Sequence, residues 1–187
     1  MEIGKTLYIT DRKTFRGWLK QNHKTEKDIW LIFYKQSSGK PRLPYNDAVE
    51  EALCFGWIDS IIKKIDDEKF AQRFSPRKKN SVLSGLNKER VKRLIKQKRM
   101  TAAGLKAIEH AFNDAHLNEK FTVPTDILKT LKANKDVWRN FRAFPESYKR
   151  IRIGWIESAR SRPEVFQTRL NYFLKMTEKN KRYGMVR

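Results

Sequence analysis

Most of the side chains able to act together chemically lie between Cys54 and Asn87. Asp59 follows Gly56-Trp57-Ile58 at the start of an alternating segment. Arg73 and Arg77 lie on or just after the segment that returns from a turn at Asp66-Asp67-Glu68. Ser81, Ser84 and Asn87 then follow at a spacing of three. A hairpin across that turn would bring both guanidiniums near the carboxylate, since facing residues on paired strands stand about 5 Å apart. A carboxylate, two guanidiniums, hydroxyls, an amide and a helix entrance suit an anion such as phosphate or carboxylate. In this reading Asp59 orients the arginines, the arginines clasp the anion, and the serines and the asparagine set its position. The same residues also fit a structural reading, in which an Asp–Arg pair locks the hairpin and Ser84 caps a helix. A further alternative makes Asp59 a general acid or base. Two neighbouring arginines would favour its charged form, so the sequence leans away from an enzyme.

Other chemistry is poorly provided for. His23, His110 and His116 are scattered, and with one distant cysteine they form no zinc pattern. Ser37-Ser38-Gly39-Lys40 lacks the first glycine and the following Ser or Thr of a phosphate loop. Cys54 sits between Leu53 and Phe55, so it is expected in the core rather than as a thiolate nucleophile. No metal and no cofactor is expected.

The formal charge is +21, and its placement says more than its size. Residues 1–68 carry 12 basic and 11 acidic side chains, residues 69–187 carry 30 and 10. So lopsided a field attracts anionic small molecules or polyanions, nucleic acid among them. Lys88, Arg90, Lys92, Arg93, Lys96, Lys98 and Arg99 crowd one stretch relieved only by Glu89. With the basic tail, that stretch is the alternative reading, a nucleic-acid-binding module, although no aromatic interleaves with its charges. The first residues lack the apolar core of a signal peptide, and nowhere do about 18 apolar residues run together. A lone cysteine forms no internal bridge. A soluble, cytoplasmic protein without a membrane span is therefore the expectation.

These side chains need elements to hold them. Short strands are predicted at 7–9, 29–34, 58–66 and 69–75, the last two as a hairpin ended by Pro76. Helices are predicted over 11–22, capped by Thr10 or Asp11, over 45–55, ended by Gly56, and over 87–98 and 101–112. After a loop at 113–123, further helices are predicted near 125–134, 135–142, 145–160 and 163–180. Trp138, Phe141, Phe144, Tyr148, Trp155, Phe166, Tyr172 and Phe173 would supply an aromatic core there, under a basic outer face. The fold class is thus α+β: an N-terminal unit, 1–113, with a small, mainly antiparallel sheet and packed helices, then an all-helical segment, 114–187.

Several blocks resemble the YdeI/OmpD-associated, or bacteriocin-protection, family. They are Trp30–Lys35, Ala52–Asp59, Arg73–Arg77, the Ser81…Ser84…Asn87 run and Arg99–Gly104. In the tail they are Val123–Asp126, Phe144–Tyr148 and Trp155–Arg160. Leu83 stands where the family usually has tryptophan. The resemblance implies a small cytoplasmic protein tied by name to bacteriocin tolerance and envelope stress, without a settled catalytic mechanism. A family label is not a site, so the chemistry still has to come from the residues.

Overall fold

The computed structural model describes residues 2–112 and 120–184. His116 and most of the loop expected at 113–123 lie outside the described residues. The described chain falls into two units, Met1–Leu83 with Arg90–Asn113, and Ser84–Glu89 with Asp114–Arg187.

Strand β2 (Ile29–Tyr34) organises the first unit. Its near-continuous apolar run is that of a strand covered on both faces, and Ile29, Trp30, Leu31 and Phe33 are all buried. It pairs in parallel with β1 (Thr6–Tyr8) and antiparallel with β4 (Lys69–Pro76), and β4 pairs antiparallel with β3 (Trp57–Lys64). The sheet order is β1-β2-β4-β3, α+β as the sequence implies. The parallel pair needs a crossover, which α1 (Arg12–Asn22) supplies. Asp11 rather than Thr10 caps it, accepting from Thr14 N at 2.9 Å. Phe15 and Leu19 are fully buried, and the Phe15 ring meets Phe74 edge-on at 5.8 Å.

Helix α2 (Tyr45–Cys54) is buried on every side from Ala48 to Cys54. It ends at Gly56, whose φ of +77° is left-handed. A Cβ there would lie 2.6 Å from Ala107 Cβ, so both the turn and the packing require glycine. Helices α3 (Gly85–Lys96) and α4 (Ala102–Ile108) start and stop within a few residues of expectation. Thr101 caps α4 by accepting from Gly104 N, and its own hydroxyl donates to Cys54 O at 2.6 Å. The first six residues of the 84–96 stretch, Ser84–Glu89, group with the second unit.

Strand β3 forms one edge of the sheet. Asp59 faces Phe74 and Ile62 faces Gln72, so Ser60 and Ile61 stand opposite Arg73 alone, a bulge. Ile61 and Ile62 are exposed beside Lys63 and Lys64.

The second unit contains α5 (Thr125–Lys132), α6 (Lys135–Ala143), α7 (Glu146–Glu157) and α8 (Pro163–Glu178). Ile127, Leu131, Phe141, Tyr148, Ile156 and Phe173 form its centre. Of the aromatics expected there, Trp138, Trp155 and Phe166 are only half-buried, and Tyr172 is exposed. Asn134 caps α6, and the buried Asn140 donates to Thr177 O and Glu178 O at the end of α8, where Thr177 O also accepts from Asn180 N at 2.9 Å. Among the described residues no helix is long and apolar enough to cross a membrane.

Candidate functional site

Asp59 is held by two donors. Tyr45 Oη, at the start of α2, donates to its Oδ2 at 2.6 Å, and Gln72 Nε2 of β4 donates to the same oxygen at 2.9 Å. The strand register explains this. Asp59 lies opposite Phe74, and Gln72 is two residues from Phe74, so the three share a face. Burial, followed by the bond to Asp59, pushes the Tyr45 phenol up to about 12.

Arg77 follows directly after β4, and its N–H donates to Gly56 O at 2.9 Å, which ties it to the end of α2. Its Nη2 donates to Val82 O at 2.9 Å. Nε and Nη1 are enclosed and find no hydrogen-bond partner among the described residues. Burial pulls this guanidinium's pKa down, and the charge of Asp59 opposes that pull. The enclosed Oγ of Ser81 is likewise without a partner. The 77–82 loop curls back through Asn80, left-handed at φ +68°, a conformation asparagine tolerates better than most residues. It is fastened by Ser81 N–H on Lys78 O at 3.1 Å and by His110 Nε2 donating to Ser81 O at 3.0 Å. Arg90, 7% exposed, reaches Asn46 Oδ1 at 2.5 Å. Burial also lowers its pKa, against Tyr45, Glu50 and Asp59.

The structure brings together only part of the expected set. Asp59, Arg77 and Ser81 belong to the first unit; Arg77 and Ser81 lie in the turn just described, and the charge of Asp59 reaches Arg77. Arg73 does not join them. Adjacent strand residues point to opposite faces, so Arg73 points away from Gln72 and binds Asp28 at 2.8 and 3.1 Å. Ser84 and Asn87 group with the second unit, where Ser84 Oγ accepts from Asn87 N at 3.3 Å at the entrance of α3. This is the capping role that the structural reading gave Ser84.

The basic stretch 88–99 is not a uniform cationic face. Arg90 is buried, Arg93 binds Glu50, and Arg99 binds Glu51. Lys88 and Lys92 are half-buried, while Lys96 and Lys98 are exposed. Sequence reasoning missed Glu50 and Glu51, which are buried and bound to Arg12, Arg16, Arg93 and Arg99. The available signal was two acids in the middle of the apolar run Ala48–Cys54, with an excess of arginines elsewhere to match them. Cys54 lies in the core, where burial, then Glu51, pushes its thiol up and keeps it protonated near neutral pH.

Comparison with known families divides the chain in two. Residues 7–107 match a domain of unknown function, DUF8412, and residues 120–180 match the family described as bacteriocin-protection, YdeI or OmpD-associated. Trp30–Lys35, Ala52–Asp59 and Arg73–Arg77 therefore fall in the first match, and Phe144–Tyr148 and Trp155–Arg160 in the second. No curated protein and no solved structure matches the chain.

Proposed function

This chain belongs to the DUF8412 family and carries a bacteriocin-protection, YdeI or OmpD-associated segment at residues 120–180, and we propose that it is a binding protein. In this reading it contributes to stress protection in the cytoplasm by holding a small anionic ligand in its first unit. The supporting observation is the Arg77 guanidinium, with two enclosed nitrogens that have no acceptor among the described residues, and the Ser81 hydroxyl in the same loop. An enclosed donor without a partner costs about 1–3 kcal/mol, more when charged, and an anionic oxygen would remove that cost. Asp59, fixed by Tyr45 and Gln72, acts on Arg77 through its charge and would favour a ligand of low negative charge. With Tyr45 and Gln72 both donating to one of its oxygens, Asp59 serves as a positioning group.

Calorimetric titration with inorganic phosphate and with acetate tests this. Wild type should release or absorb heat with at least one of them, and Arg77→Met should abolish it while leaving the fold intact by circular dichroism. An absence of heat with both anions, in wild type and variant alike, would overturn the proposal. If binding holds at 100 times its dissociation constant, it should also stabilise the chain by about 2.7 kcal/mol.

A further inference from the structure

A second feature lies wholly within the helical unit and is independent of the Arg77 loop. Helix α6 turns Val137, Asn140 and Phe141 inward. Lys135, Trp138, Arg139 and Arg142, at helical spacings of three, four and seven, fall on its other side. Lys135, Arg139 and Arg142 are exposed and Trp138 is half-buried. The indole lies nearly parallel to the Phe141 ring, at 5.9 Å, so it is backed by the core and held in one orientation. Lys132, at the end of α5, places its ammonium 5.4 Å from the centre of that indole. Lys149 of α7 donates to Arg142 O at 3.2 Å and brings a further cation beside Phe141.

The nearby acids offset the strip only in part. Asp136 is bound by Arg139 at 2.8 Å, and Glu146 by Arg150 at 2.8 Å. Lys132, Lys135, Arg142 and Lys149, with Arg139 shared with Asp136, thus lie on or beside the part of α6 that carries one partly open aromatic ring. This is the combination that the 88–99 stretch lacks. Cations that track a phosphate backbone, with a ring on which a base can stack, are the requirements of single-strand recognition. A membrane surface would need apolar side chains to insert, and the strip has no exposed large hydrophobic residue.

We propose that this side of α6, flanked by Lys132 and Lys149, binds single-stranded nucleic acid. The cations neutralise phosphates and Trp138 stacks on a base. The interaction is sequence-tolerant, since every base offers a π-face and the strip presents no buried polar group to read base edges.

The test is fluorescence anisotropy of the full chain with a labelled single strand of about 20 nucleotides and its duplex, across a salt series. Three variants are needed: the triple Lys135→Gln/Arg139→Gln/Arg142→Gln, Trp138→Leu, and as control Lys96→Gln/Lys98→Gln. Circular dichroism melts check that each is folded. Wild type should bind the single strand at about 0.15 M salt. The triple variant should bind at least 10-fold more weakly, with a salt slope shallower by about 2, at about 0.7 for each phosphate no longer neutralised. Trp138→Leu, which keeps an apolar group over Phe141, should weaken binding about 5- to 100-fold with its slope unchanged. The control should bind as wild type does. Equal losses in the triple variant and the control would overturn the proposal, because the charge would then be acting diffusely. So would duplex binding as tight as single-strand binding together with an indifferent Trp138→Leu. Displacement of the strand by phosphatidylserine vesicles would assign the strip to a lipid surface instead and overturn it as well.

Discussion

Replacing Glu51 by glutamine should produce the largest stability loss of any single isosteric change in the first unit. Glu51 is fully buried, and its carboxylate accepts from Arg12 Nε at 2.5 Å, from Arg16 Nη1 at 2.7 Å and from Arg99 Nη2. Glu50 extends the lattice to Arg12 at 3.0 Å and to Arg93, and Asp47 reaches Arg12 at 3.2 Å. Burial by itself pulls the Arg12 guanidinium down, yet Glu51, Glu50 and Asp47 together hold its pKa above the usual value. One carboxylate thus joins α1, α2 and the segment that follows α3. Removing one partner from a buried pair costs about 3–5 kcal/mol. Here the three arginine side chains keep 25%, 34% and 33% of their surface, so water recovers part of that cost. About 2–3 kcal/mol remains, equivalent to about 4–12 °C in Tm for a chain of this size. Urea denaturation measures it, with a fall in midpoint of about 1 M. The loss should persist in 1 M salt, because screening reaches buried pairs poorly. By contrast, Asp126→Asn, which breaks an exposed ion pair with Arg160, should change stability by under about 1 kcal/mol. A Glu51→Gln protein within about 0.5 kcal/mol of wild type would refute the reasoning, because the lattice would then be surface decoration.

Further outcomes follow from other parts of the structure. A Cβ on Gly104 would sit 2.2 Å from Cys54 O, where backbone cannot yield, so Gly104→Ala should cost about 3 kcal/mol in the same urea assay, and a loss below about 1 would contradict that packing. The Tyr45 phenol is raised from 10.0 to about 12 on folding, so its contribution is complete below pH 10 and is lost as pH rises from 10 to 12. Tyr45→Phe should therefore flatten the fall in urea midpoint across that window without abolishing it, since Tyr183 is also raised to about 12 by burial; an unchanged slope would exclude Tyr45. Asn140→Ala should cost about 1–3 kcal/mol by removing the side-chain donor to Glu178 O and one of the donors to Thr177 O, and thermal melting reads it directly.

The parts of the fold legible in sequence were those whose cause is local. The run Ile29–Tyr34, the Asp11 and Thr101 caps, Gly56 and the Pro at the start of α8 each act within a few residues, and each marks its element. The site was less legible, because its membership depends on strand register. Arg73 and Gln72 are neighbours in sequence, and only the pairing of Asp59 with Phe74 decides which of them meets the carboxylate. Tyr45, the other donor to Asp59, comes from a helix 14 residues earlier that gives no sign of its partner. Charge counting went astray at 88–99 for the same reason. Arg93 and Arg99 are consumed by acids 43 and 48 residues away, a pairing that no periodicity within the stretch can reveal.

The bulge after Asp59 also bears on self-association. A straight edge strand bearing two exposed isoleucines would template another strand and let the sheet grow from molecule to molecule. At β3 the doubled residues Ser60 and Ile61 break the even spacing of outward amides and carbonyls, and Lys63 and Lys64 place positive charge beside the apolar pair. A second copy arriving edge to edge would meet a bent ladder and like charge together. The sheet can keep two isoleucines in water at its rim because the backbone beneath them does not present a surface on which a fibre can start.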